Sequence, residues 1–510
     1  WWLLMTRLAY SPISIKSSAN TYYGFRGIDR SRDITAMEIE KEQNFWILDN
    51  CFVDYRGQLL RDPKFFLHTG SNRFPVKALR FYNREGVCFA EEDAANTHLA
   101  SDRGHRVEQA YQKNAIVTMT NFKGKVHIFS EDQRMYRYDG FQFDTATTAI
   151  KPAFGVPIQR RLAVSGFSDR PTVIEFSRVD DPDIFLAEEA PTEEVTRASF
   201  IDISNLIGTA DKIVGMGTFE ANRLAVFTQD QTLVYIIDPD FEQWQLDSRA
   251  NLRIGCVSHN SIVNAGSDLL FCSRRGIHSI MRSEQNGITI AEASLSDEVE
   301  PLYQELVKTT PDPRMISAIY DQDNQTYHVF FPRRGGTQTK RLSMNFRSGY
   351  EMVNFQLGDT LLPRCGAFLG GRLMFGTSDG VYEASDRVFL QDTGLSDLRR
   401  SPMLAETPVL WLGDFLNSKR THSLVIQATG AGRFYIDAMD DLDRPMATME
   451  VNLDRIEGDK HWGDAPLKSD YSFPFNHIFR GVRLRFRTED KDVDSDVTLI
   501  SFAFLMHKEK

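Results

Sequence analysis

The densest apparent chemistry in the chain is Gly376-Thr377-Ser378-Asp379-Gly380, which fits the G-x-S-x-G pattern of a nucleophile elbow. That arrangement needs a strand before the serine, a helix after it and a histidine base within reach, because an unassisted hydroxyl is a weak nucleophile. Here the following residues, VYEAS, alternate like a strand. Gly, Ser and Asp are also what tight turns select, so a hairpin turn is the expectation. His422, His461 and His477 lie downstream as isolated histidines of the kind common on surfaces.

Other reactive groupings fail in similar ways. Between Thr488 and Asp496, carboxylates stand at alternate positions 490, 492, 494 and 496, as in a calcium loop. Ser495 and Ser501 occupy the places where such a loop needs Gly and Glu, which favours a solvated hairpin tip. No HExxH is present, nor a histidine pair beside a cysteine pair, so no zinc site is expected. Gly215-Met216-Gly217 begins like a dinucleotide fingerprint but lacks the third glycine and leads into a strand pattern; GxxxxGK[ST] is missing altogether. No cofactor is expected. The best basic stripe is Arg483, Arg485 and Arg487, alternating with Val482, Leu484 and Phe486. It reads as a strand face that is exposed or meets a partner subunit, ahead of a DNA site.

Composition explains the scarcity of catalytic signals less well than organisation does. The chain has 510 residues, 42% of them hydrophobic, enough for several domains and a large core. Mean hydropathy is −0.35, and no apolar run reaches the roughly 20 residues a bilayer-spanning helix needs. The formal net charge of −11 opposes broad adhesion to nucleic acid, which depends on Lys and Arg displacing counterions. An acidic wall would let a duplex slide past without sticking. The five cysteines, Cys51, Cys88, Cys256, Cys272 and Cys365, form no CxxC and read as buried free thiols. The opening WWLL precedes Met5, a natural initiator, and reads as a vector remnant or upstream reading too short for a signal peptide.

A cassette recurs along the middle of the chain: a short apolar strand, a polar turn, an alternating strand, a Gly or Asp turn, then an aromatic or Ile. It starts at Ile116, Ile213 and Ile262, with a shorter copy at Cys365, and RRLAVSGFSDRPTVIEFSRV fits between the first two. Each copy predicts an antiparallel meander whose strands carry one dry and one wet face. One meander cannot bury its dry face alone, so several must pack, and radial packing into a β-propeller is the simplest solution. The fold class expected is all-β, a propeller of meander blades plus a C-terminal β-sandwich, with few helices.

Residues 1–110 read as a strand-rich region contributing to the propeller or its platform, with a hairpin in Val76 to Glu92 around Arg84-Glu85-Gly86. Residues 111–390 read as the propeller repeats. Within them, 180–196 is acidic with two prolines and predicts an exposed loop. A helix is expected near 296–309, with Asp297 and Glu300 as a capping box and Val299, Leu302, Tyr303, Leu306 and Val307 on one face. Residues 403–510, with longer alternating strands, read as the sandwich.

The order of these pieces resembles a known family. IVGMGTFEANRLAVFTQDQTLVYII, IGCVSHNSIVNAGSDLLFCSRRGIHSIM, the helix from Ser296, ISAIYDQDNQTYHVFFP and the terminal FRGVRLRFRTEDKDVDSDVTLISFAFLMH together resemble the tail hub, or packaged-DNA stabilisation protein, of short-tailed bacteriophages, related in role to the tail nozzle. The likeness spans about Arg160 to Lys510 and includes no catalytic signature. It implies a homo-oligomer, a six-fold ring below the portal and its adaptor, in the virion tail and assembled in the bacterial host cytoplasm. The ring would retain packaged double-stranded DNA, anchor fibres, spikes or a needle, and pass the genome through its lumen without reading sequence. No enzymatic role is implied. The alternative is a receptor- or glycan-binding tail protein, for which Trp411, Trp462, Tyr471 and Phe473 are candidate sugar platforms. A sialidase- or lyase-type propeller is disfavoured, since S-x-D-x-G-x-x-W boxes are absent.

Overall fold

A computed structural model describes residues 18–31, 34–35, 44–54, 56–68, 74–83, 86–189, 194–208, 210–247, 251–281, 294–333, 339–346, 354–358, 362–385, 398–412, 416–453, 469–490 and 495–506. The chain forms two compact units: residues 63–401, and a second unit made from 1–62 together with 402–510. The expectation for the opening WWLL falls outside the described residues.

The larger unit is a β-propeller. Seven antiparallel sheets follow one another at 76–112, 117–145, 154–202, 213–246, 263–279, 317–358 and 365–385, here blades 1 to 7. Their innermost strands neighbour each other in chain order, and Cys365–Leu369 of blade 7 returns to Val76–Phe81 of blade 1, closing the ring. The ring is also latched by sequence ends. Lys64–Leu67 pairs with Val381–Ser385, so blade 7 takes a strand from the start of the unit and needs more than 300 residues of chain to complete it.

The repeated cassettes are blades 2, 4, 5 and 7, but their strands differ from the expected dry and wet faces. In blade 4, Leu224 and Val226 of Arg223–Thr228 pack towards Phe154, Val156 and Ile174 of blade 3. The alternate residues, Ala225 and Phe227, pack towards Leu269 and Phe271 of blade 5. A radial blade lies between two neighbours, so period-2 alternation here divides residues between two dry clusters. Burial at the roughly 25 cal/mol per Å² typical of apolar surface therefore acts on both faces of each middle strand.

Three further expectations need correction. Residues 76–112 are blade 1 itself, whereas the strands at 18–61 belong to the other unit, so the boundary lies at Asp62/Pro63 and not near 110. The helix α1, Glu300–Thr309, buries Leu302, Tyr303 and Leu306 as its spacing predicts, yet it has no side-chain cap. Ser296 at the start of the preceding turn instead accepts a hydrogen bond from the Ile277 N–H (3.0 Å) and ties the helix entry to blade 5. The acidic loop is anchored as well. Phe185 is fully buried, and the Arg161 guanidinium donates to the carbonyls of Ser177, Val195 and Arg197; residues 190–193 lie outside the described set.

The second unit is a sandwich of two antiparallel sheets drawn from both ends of the chain. One sheet contains Ser18–Tyr23, Cys51–Val53, Leu59–Arg61, Lys419–Ala431, Ser469–Pro474 and Asp496–Met506. The other brings together Ile47–Asp49, Leu404–Glu406, Val482–Arg487, Arg433–Asp440 and Pro445–Asn452. Phe486 of the second meets Phe502 of the first with ring centroids 5.6 Å apart, and Phe25 stacks on Phe502 at 5.9 Å. Such aromatic pairs add about 1 kcal/mol beyond their burial.

Candidate functional site: the propeller channel

The innermost strands of all seven blades line a recess of about 700 Å³ on the propeller axis. Side chains on these strands stitch neighbouring blades. Near the strand starts, Thr118 donates to the Ala153 carbonyl (2.9 Å), Ser258 to Arg314 (2.8 Å) and Ser317 to Arg364 (2.8 Å). Near the strand ends, the Asn121 amide donates to the Phe81 carbonyl (2.9 Å) and Asn264 to Thr218 (3.1 Å). Each bond satisfies a carbonyl that no blade ladder reaches, at a net gain of about 1 kcal/mol.

A single turn of 3-10 helix, His259–Ser261, crosses the axis just before blade 5. His259 and Asn260 line both the recess and a second hollow of about 450 Å³ at the strand starts, so the turn is the partition between them. It is braced on several sides. Asn260 donates to the Val117 carbonyl of blade 2 (3.1 Å), His259 stacks on Phe154 of blade 3 (centroids 4.7 Å), and the Met216 N–H of blade 4 donates to His259 Nδ1 (3.3 Å). From blade 6, the Tyr327 hydroxyl donates to the Ser261 carbonyl (2.6 Å).

Gly215 and Gly217, the start of the supposed nucleotide fingerprint, exist for this stopper. A Cβ on Gly215 would stand 2.6 Å from Ile262 and 2.9 Å from the His259 Cα, and one on Gly217 would stand 2.7 Å from Ile262. A glycine inside a strand marks close approach of another segment, and here the visitor is the partition.

The electrostatics of the recess are one-sided. Among the described residues none that lines it is Asp or Glu, while Lys77 and Arg80 are cationic. Lys77 is paired with Glu92 and donates to the Ala115 carbonyl (3.4 Å); burial, helped by Arg364 and Lys113, lowers it to about 8. His259 must carry its proton on Nε2, since Nδ1 accepts from Met216. Burial, then the nearby charge of Arg80, pushes the imidazole down to about 3, so it stays neutral at pH 7.

Carboxylates appear only in the second hollow. Glu131 and Asp312 both hold Arg314, at 3.0 and 2.9 Å. Burial would raise Asp312, but the side-chain and backbone hydrogen bonds from Arg314 hold it below the usual carboxylate range. A general acid for glycoside cleavage needs the opposite shift.

The structure disperses the sequence candidates. Gly376 to Gly380 is the hairpin between Arg372–Gly376 and Val381–Ser385, closed by the Thr377 N–H donating to the Gly380 carbonyl (2.8 Å). The arginine ladder lies on Val482–Arg487, each guanidinium on a carboxylate. Arg483 and Arg485 share Glu406 (3.0 and 2.9 Å), Arg483 also meets Asp443, and Arg487 holds Asp437 (2.7 Å) and Glu489 (3.2 Å). It is a cross-strand lattice of matched charges. Of the sugar-platform candidates, Trp411 lies over Gly481 and donates to the Thr35 carbonyl (3.0 Å), Tyr471 donates to the Asn452 carbonyl (3.2 Å), Phe473 is half-buried, and Trp462 is outside the described residues. The calcium-like loop loses its middle to the same limit, at 491–494. All five cysteines are buried free thiols, with burial pushing Cys88, Cys272 and Cys365 up to about 12.

No family model and no curated protein matches the chain. Among solved structures it overlaps the extracellular domain of a hybrid two-component system from B. thetaiotaomicron at 8% identity and TM-score 0.37, covering 71% of this chain and 42% of that one. The chain thus spans less than half the length of that protein. An exo-β-1,3-galactanase from Phanerochaete chrysosporium overlaps at 8% identity and TM-score 0.25, covering 90% and 100%. A protein of unknown function from Bacteroides thetaiotaomicron follows at 11% identity and TM-score 0.30, covering 63% and 75%. Likeness this slight transfers no activity.

Proposed function

We propose that this chain is a non-catalytic building block, the tail hub or nozzle subunit of a short-tailed bacteriophage, which retains packaged DNA and forms the conduit for its ejection. The observation that supports it best is the partitioned axis: a recess without a carboxylate, stopped by His259–Ser261, is a poor place for hydrolysis. The order of sequence segments described above supplies the phage assignment. On this reading the propeller's own axis is no DNA path, because a 700 Å³ recess admits no duplex. The genome instead passes through the lumen of a ring of such chains, whose acidic surfaces repel phosphate.

The test is electron microscopy of the purified chain, alone and mixed with portal and adaptor proteins. Six-fold rings that join the adaptor are the expected result. A chain that remains single with both partners and cleaves oligosaccharides would overturn the reading.

A further inference from the structure

Arg80 is the anomaly of the channel. It sits on Val76–Phe81, exposed to the axial recess, and its guanidinium takes part in no hydrogen bond or ion pair with any described residue. By contrast Arg161, Arg314, Arg483, Arg485 and Arg487 each hold a carboxylate or a carbonyl. An unpaired guanidinium in a crowded recess costs stability and persists where something else supplies its partner. Burial lowers the affinity of Arg80 for its proton, in keeping with walls that crowd it while water still reaches it.

The groups around it define what that partner would be. His259 lies close enough to feel the Arg80 charge, and its fixed tautomer presents an Nε2–H donor. Lys77 is neutralised by Glu92, so among the described residues that line the recess the uncompensated positive charge is that of Arg80. A single charge with a planar fork and a neutral donor suits a monoanion with two coplanar oxygens better than a phosphate dianion. The same recess is lined by Met119, Val156, Pro157, Met216 and Ile319, which would cover an apolar or ring-shaped body.

We propose that the axial recess of the propeller is a binding site for a small monocarboxylate, its carboxylate held by Arg80 and the Nε2–H of His259. This stands independently of any role in a phage tail.

The experiment is calorimetric titration of the full chain with benzoate, D-glucuronate, glucose, inorganic phosphate and sulfate, repeated on Arg80→Gln and Arg80→Lys. Benzoate or glucuronate should bind the native chain, with glucose silent. Arg80→Gln should weaken binding at least tenfold and Arg80→Lys less, since lysine keeps the charge and loses the fork. The tighter of the two acids identifies an apolar or a hydroxylated body. Thermal melting of both variants without ligand should be no lower than that of the native chain, because the Arg80 guanidinium holds nothing in the fold. The proposal is overturned if neither acid binds, if Arg80→Gln binds them unchanged, or if phosphate or sulfate binds more tightly than both. Should Arg80→Gln melt early, a structural role for Arg80 is indicated and the proposal fails.

Discussion

The axis of the propeller and the arginine stripe of the sandwich treat charge in opposite ways. The sandwich gathers arginines and neutralises each on the spot, with Glu406 between Arg483 and Arg485 and Asp437 beside Arg487. The propeller also pairs charge within its blades, as Arg106 with Glu91, but on its axis it holds a neutral imidazole and, in Arg80, a guanidinium with no anion among the described residues. His127 and His328 are buried in blades 2 and 6, and His259 closes the axis. A conspicuous basic stripe can thus be electrically spent, whereas one unremarked arginine on an inner strand carries the open valence.

The largest effect expected from this contrast is a split in acid stability. Burial pushes His127 down to about 4, with Arg137 and Lys125 adding to it, and His259 down to about 3; burial and Arg341 lower His328 well below its ordinary value. The unfolded chain therefore binds protons that the folded propeller refuses, so its stability falls as pH drops from about 6.5, by roughly 1.4 kcal/mol per pH unit for each ring. In the sandwich, burial would raise Asp437, but hydrogen bonds from Arg487 and Thr448 hold it below the usual range. Its contribution is present above the ordinary carboxylate value of about 4 and is lost only below it. Amide exchange followed from pH 7 to pH 4 should show the blades opening first, and equal opening of both units at pH 5 would remove the distinction.

Next in size, Glu406→Gln should cost about 3 kcal/mol in urea unfolding of the sandwich, because it takes a buried carboxylate from both Arg485 and Arg483 and leaves Arg483 with Asp443 alone. A cost below about 1 kcal/mol would mean that solvent screens the lattice. Gly217→Val should destabilise the propeller by about 2 kcal/mol by driving Ile262 and the partition aside. Tyr327→Phe, which removes the brace on Ser261, should cost about 1 kcal/mol. Smallest of all, Arg80→Gln should lower the stability by no more than about 0.5 kcal/mol and can raise it, since the unpaired charge is removed, in direct contrast to Glu406→Gln.

Much of the propeller was legible because each blade is local. The cassettes at Ile116, Ile213, Ile262 and Cys365 carry their turns and alternation within about 25 residues, and the helix face at Leu302, Tyr303 and Leu306 follows from spacing alone. What escaped is non-local. Nothing in Lys64–Leu67 announces its pairing with Val381–Ser385, nor in Ser18–Tyr23 its pairing with Asp496–Met506. The capping box failed because Asp297 opens a 3-10 turn, Asp297–Val299, and the helix itself starts at Glu300 with Val299 at its N-cap.

The channel was harder still. SHNSI reads as an ordinary loop, and Arg80 as an ordinary strand residue. Only the paired glycines at 215 and 217 gave a signal, pointing to a close visitor in the strand and not to a nucleotide. The arginine stripe was visible, but apart from Glu489 its matching acids, Glu406, Asp437 and Asp443, lie 40 to 80 residues away in sequence.

The sandwich built from both ends of the chain has a consequence for synthesis. A ribosome delivers the strand at Leu59–Arg61 hundreds of residues before its neighbour at Asp496–Met506 exists, whereas every strand of the propeller has emerged once Arg399 is out. The ring can therefore close around its latch during translation, while the early strands, with Leu59–Arg61 paired only to Cys51–Val53, wait for the last segment to leave the exit tunnel. Truncation near residue 401 would then release a closed ring trailing an unfolded leader.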